Sequence, residues 1–105
     1  GLWVQPRLME DGGGLRAPGD SVLLSCRGSG FTFGNFHVWW YRQAPGARLE
    51  RLSLISYDSS NIEYGSSVQG RATASRDNSL SEASLSLRAL NLQDSARYFC
   101  AVHPV

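Results

Sequence analysis

Short runs of alternating polarity, each closed by a cluster of turn residues, fill most of this chain. SVLLSC sets Val22, Leu24 and Cys26 on one face against Ser21, Leu23 and Ser25 on the other. VWWYRQ sets Val38 and Trp40 against Trp39, Tyr41 and Gln43, and ASLSLRAL sets Ala83, Leu85 and Leu87 against Ser84, Ser86 and Arg88. ARYFCAV brings Ala96, Tyr98 and Cys100 to a common face. Successive side chains of an extended backbone point to opposite sides, so period two is the strand period. GGG at 12–14, APGD at 17–20, APGA at 44–47, YDSSN at 57–61 and RDNS at 76–79 supply the turns. No stretch has the pattern of an amphipathic helix; LNLQDSA holds one short helical turn at most. Many short, closely spaced strands predict an all-β sandwich.

On this parity Cys26, Trp40 and Cys100 all point inward. The two cysteines stand near opposite ends of the chain, and neither belongs to a CxxC pair, which leaves zinc and thioredoxin-like chemistry without support. Two buried free thiols and a disulfide are both compatible with their positions. A disulfide would close a loop of about 70 residues, stabilise by roughly 4 kcal/mol in the chain-entropy picture, and imply an oxidising compartment. Trp40 stands where it can pack on such a bridge, and Tyr98, two residues before Cys100, stands where a tyrosine corner would place it.

Residues 1–105 are enough for one domain with one core. A formal net charge of +1 gives no reason to expect nucleic acid or a membrane surface as partner. No apolar run approaches the ~20 residues that span a bilayer. No signal-peptide pattern opens the chain, so a secreted form would be the mature one.

The Cys26…Trp40…Tyr98-x-Cys100 arrangement resembles that of immunoglobulin variable domains. GGGL at 12–15, SGFTF at 29–33, YRQAPG at 41–46, SRDNS at 75–79 and DSARYFC at 94–100 are similar to antibody heavy-chain framework, spaced without insertion or deletion. NLQDSARYFCAV also resembles a T-cell-receptor variable segment. The resemblance implies a V-type two-sheet Greek-key sandwich, a Cys26–Cys100 disulfide, and an ion pair between Arg71 and Asp94. Phe31 and Phe33 would tuck into the sandwich and brace the first loop.

Ligands would meet loops at one end: residues 30–38, residues 56–63 and the segment after Cys100. Asn35, Phe36, His37, Tyr57, Asp58, Ser59, Asn61, Glu63 and His103 are the candidate contacts, mixing flat aromatics with short hydrogen-bonding groups. His37 and His103 would lie close together, yet zinc usually needs three or four protein ligands, and no metal or other cofactor is expected. No GxSxG, HExxH, phosphate-binding glycine loop or paired carboxylates suggest an enzyme.

The resemblance also assigns a partner face to Trp39, Tyr41, Gln43, Arg48, Leu49, Arg51 and Phe99, with Arg97 beside them. In the family this sheet pairs with a light chain, and glycine and tryptophan usually stand at the positions of Arg48 and Arg51. Burying two unpaired guanidinium groups against a partner costs several kcal/mol. The arginines and Tyr41 resemble camelid single-domain antibodies, although Leu49 is retained. Trp39, Tyr41, Leu49 and Phe99 remain an apolar strip.

Three features depart from the family pattern. The family's final strand is missing from this sequence, which is expected to mean an incomplete or severed chain, a place filled by a neighbour's strand, or a tolerated loose edge; an edge left open along RYFCA invites strand pairing. GLWV at 1–4 is extra, either a tag remnant or an added edge strand anchored by Trp3. Ala72, Ala74 and Ala83 stand where larger residues are usual, and the core must repack around them. The expected function is antigen binding as a secreted or extracellular single domain. The alternatives are a variable domain paired with a second one and an adhesive module self-associating through its open edge.

Overall fold

The computed structural model describes residues 7–12 and 16–105. GLWV and Gly13–Leu15 of the GGGL block lie outside them. Among the described residues eight strands follow one another: β1 (Arg7–Asp11), β2 (Val22–Ser29), β3 (Phe36–Gln43), β4 (Glu50–Ile55), β5 (Ile62–Tyr64), β6 (Ala72–Asp77), β7 (Glu82–Leu87) and β8 (Arg97–Pro104). They form two antiparallel four-stranded sheets, β1-β2-β7-β6 and β5-β4-β3-β8. Three short 3-10 turns interrupt them, at Phe33–Asn35, Asn78–Leu80 and Leu92–Asp94. The last is the single helical turn expected in LNLQDSA. This is the predicted all-β V-type sandwich, and β8 is an edge strand among the described residues.

The inward halves of the alternating runs meet between the sheets. Leu24, Cys26, Val38, Trp40, Leu52, Ile55, Leu85, Leu87 and Cys100 form the buried core. Cys26 and Cys100 are joined by a disulfide across the sheets, with Trp40 directly opposite Cys100 on β3. Ala72, Ala74 and Ala83 are buried, as the parity requires. The core repacks in part through Tyr64, which lies against it and accepts a hydrogen bond from the Ala74 amide at 2.8 Å.

The loop brace also forms. Phe33 is buried and Phe31 packs on the core. Gly28 makes room for both rings: a Cβ there would stand 2.7 Å from Phe31 and 2.8 Å from Phe33.

Opposite the loop end, Asp94 accepts from Arg71 at 2.8 and 3.0 Å, the expected pair. The Tyr98 hydroxyl donates to the Asp94 carbonyl at 2.7 Å, closing the tyrosine corner.

Candidate functional site

A bulge in β4 decides what the outer face of the second sheet presents. Trp40 opposes Ser53 but Tyr41 opposes Arg51, so Leu52 is an extra residue on β4. Leu52 and Ser53 are therefore both buried, Arg51 swings outward beside Tyr41, and Glu50 turns back toward Arg42. Strict alternation along RLSLI would have misplaced these groups.

Directly opposed residues of paired strands share a face. His37, Trp39, Tyr41 and Gln43 on β3 lie opposite His103, Ala101, Phe99 and Arg97 on β8. Leu54 lies opposite Trp39 and Glu63, which extends the same outer face through β4 to β5. One continuous surface thus runs from the histidines to Arg97.

Its middle is aromatic and cationic. Tyr41 and Phe99 stack with centroids 5.6 Å apart, and Trp39 lies 6.4 Å from Tyr41. The Arg51 guanidinium lies 5.0 Å from the Trp39 ring centroid and that of Arg97 5.4 Å from the Phe99 centroid. A cation over an aromatic face is attracted by the ring quadrupole. Each arginine also shields part of a ring while remaining solvent-exposed. Trp39, Tyr41 and Phe99 are half-buried. Arg48 is exposed in the β3–β4 connection, as is Leu49. Gln43 turns onto its own connection, donating to the Ala47 carbonyl at 3.2 Å.

The structure corrects the boundaries of the expected loops. Phe36 and His37 belong to β3, Glu63 to β5, and the segment after Cys100 continues β8 through His103 to Pro104. Pairing of β3 with β8 runs unbroken to Phe36 and Pro104, which holds this chain segment extended. Asn35 closes the 3-10 turn before β3, and Phe36 packs edge-on against Phe31 at 5.2 Å.

The true loop between β4 and β5 is built on its own polar groups. Asp58 accepts from the Ser60 hydroxyl and amide and from the Ser56 hydroxyl. These bonds, that of the Ser60 hydroxyl foremost, hold its carboxyl below the usual carboxylate range. Ser59 is left-handed, with φ 64°, and the Asn61 amide donates to Ser56 Oγ at 2.9 Å. His37 ties this loop to the sheet: its Nδ1 accepts from the Tyr57 amide at 3.1 Å, with the two rings 5.8 Å apart. In the neutral ring the proton therefore sits on Nε2.

Parity also held signals that sequence reasoning missed. Arg42 continues the inward series Val38, Trp40; Arg76 continues Ala72, Ala74; and Glu10 follows Leu8, which packs on the core. Arg42 donates to Glu50 at 2.7 Å, Asp94 at 2.9 Å and the Tyr98 hydroxyl at 3.0 Å. Burial alone would lower its pKa, but these partners outweigh burial and raise it. Arg76 donates to the carbonyls of Phe33, Ile55 and Ser56 and lies 4.8 Å over the Phe33 ring, bracing the two loops from below. Glu10 accepts from the Cys100 amide at 3.2 Å, satisfying one donor on the outer edge of β8.

Among the described residues no three His, Cys, Asp or Glu side chains come together as a metal site. The arrangement offers a surface of aromatic rings and guanidinium groups on the outer face of β3, β4 and β8. In comparison with known families, the model described as immunoglobulin V-set domain matches residues 15–105.

Proposed function

Because the chain belongs to the immunoglobulin V-set family, we propose that it is an antigen-binding variable domain of the heavy-chain type that works as a single domain, without a light chain. V-set domains are generally recognition modules that bind protein antigens or pair with other domains, and they are typically not enzymes. The antigen contacts fall to Asn35, Phe36, His37, Tyr57, Asp58, Ser59, Asn61, Glu63 and His103. The Cys26–Cys100 disulfide favours an oxidising, hence secreted or extracellular, setting.

One observation carries the single-domain reading: Arg51 and Arg97 lie over Trp39 and Phe99. A light-chain-like domain docked here would have to bury or displace two guanidinium groups that have no carboxylate partner among the described residues. Light scattering across a wide concentration range tests this. A constant monomer mass is expected. A defined heterodimer on addition of a light-chain variable domain would overturn the reading.

Pairing with a second variable domain is the alternative favoured by the exposed Leu49 and the half-exposed rings. Self-association is favoured by β8 lying at a sheet edge. A concentration-dependent rise in mass would support one of these instead.

A further inference from the structure

We infer that the outer face of β4, β3 and β8 binds an acidic protein segment, one that sets carboxylates on Arg51 and Arg97 and an apolar side chain on Tyr41 and Phe99. The inference rests on the single-domain reading, since a paired domain would cover this face.

Charge and chemistry point to this occupant. All ten cationic side chains of the chain are arginine. Arg42 and Arg71 are spent on Asp94, Arg27 on Glu82, Arg76 on loop carbonyls and Arg88 on Thr73. Arg51 and Arg97, with Arg48 exposed in the adjoining connection, have no ion pair among the described residues. A guanidinium group offers planar paired donors that match a carboxylate. Those of Arg51 and Arg97 already lie against rings, so less side-chain freedom remains to be lost on binding. Trp, Tyr and Arg are also the residues in which interface energy concentrates.

Other occupants fit less well. A purely apolar partner would strand two buried charges. A second copy meeting this face in two-fold fashion would set arginines against arginines.

Spacing narrows the ligand further. Arg51 and Arg97 bracket the Tyr41–Phe99 pair diagonally across three strands. Two interstrand steps of about 4.8 Å and two residues along the strand separate their Cα atoms by about 12 Å. An extended segment with acids at positions one and five spans about 13 Å and turns its first, third and fifth side chains to one side.

The probe is therefore the capped peptide Glu-Ser-Tyr-Ser-Glu, titrated by calorimetry at low salt after the protein is shown to be monomeric. We expect binding that weakens as salt rises and falls at least tenfold when both glutamates become glutamine. It should also fall at least tenfold in the Arg51→Glu/Arg97→Glu protein, or in Arg51→Gln/Arg97→Gln should charge reversal impair folding. Arg7→Glu, exposed on the opposite sheet, should leave it unchanged. Absence of binding by the monomeric protein, equal binding of the glutamine peptide, or an equal loss with Arg7→Glu would overturn the inference. So would binding of heparin without binding of the peptide. None of these would touch the single-domain reading, which fails only on the mass measurement.

Discussion

Arg42 donates from Nη1 to Oδ1 of Asp94 at 2.9 Å, and both side chains are almost wholly buried. The same carboxylate accepts from Arg71 through both oxygens and from the backbone amide of Asn91, whose side chain caps the 3-10 turn. One charge thus ties β3 to the segment entering β6 and to the turn entering β8. A buried ion network adds little or no net stability over a well-packed apolar core, but removing one member leaves the others uncompensated. Asp94→Asn preserves the shape and deletes the charge that two guanidinium groups require. It is expected to cost about 3–5 kcal/mol, read as a lowered urea midpoint with an unchanged slope. A loss under 1 kcal/mol would mean that the arginines find other partners.

Acid should act through the same group. Hydrogen bonds from Arg71, working against burial and aided by Asn91 and Arg42, bring the Asp94 pKa down to about 2. A depressed carboxyl pKa contributes stability that is complete above the unfolded value near 3.9 and is lost as pH falls through the folded value. The loss should run from about pH 4 to about pH 2 and amount to about 2 kcal/mol. Glu50 is also lowered, Ser67 and Arg42 outweighing burial, and its contribution has the same sign. Urea midpoints between pH 6 and pH 2 should fall less steeply in Asp94→Asn than in the unaltered protein. Parallel curves would remove Asp94 from the acid response.

Arg76 should matter to the loops more than to the base. Burial lowers its pKa, yet it donates to three loop carbonyls. Arg76→Met keeps an apolar stem against Phe33 and leaves those acceptors unmatched, at a cost of about 1–3 kcal/mol. Amide exchange should quicken in residues 32–35 and 56–61 while the amides around Asp94 keep their protection. Uniform acceleration would show a global effect with no separate bracing role.

The sandwich was legible because period-two alternation is a local signal that burial on one face enforces. Cys26, Trp40, Cys100, Ala72, Ala74 and Ala83 all point where parity directs them. Arg71 with Asp94, and the disulfide, followed from family resemblance and not from spacing. The surface was harder to read. The bulge at Leu52 breaks parity without any glycine or proline to mark it, and it alone decides that Arg51 faces out and Glu50 faces in. The ends of β3 and β8 read as loop by family resemblance, whereas pairing between neighbouring strands, invisible in either run alone, keeps them extended. Arg42 and Arg76 stood at inward positions of readable runs, but an arginine is ordinarily a surface residue, and their partners come from distant parts of the chain.

The Cys26–Cys100 link joins residues 74 apart in sequence. Closing a loop of that length restricts the unfolded chain enough to stabilise by about 4 kcal/mol in the chain-entropy account. Replacing both cysteines with alanine should cost about that much, with added loss from the space left beside Trp40. Denaturation of the double variant against the oxidised protein reads it directly. A difference below 1 kcal/mol would mean that the unfolded chain is already compact.

The arginine caps themselves make the last prediction. Arg51 and Arg97 shield Trp39 and Phe99 by lying against them, not by burial in a core. Arg51→Ala/Arg97→Ala removes charge and alkyl stem together, which bares a strip running from Trp39 through Tyr41 to Phe99. Folding stability should change little, because neither arginine contributes to the ion network around Asp94. Association should change: the mass from light scattering is expected to climb with concentration in the double variant and to stay flat in the unaltered protein. Arg51→Lys/Arg97→Lys separates the two components of the cap. Lysine restores the charge and much of the stem but not the planar contact with the ring, so its behaviour should lie between the two. A double-alanine variant that stays monomeric at the highest concentrations would show that the strip is not adhesive and that the arginines are not what keeps the domain apart.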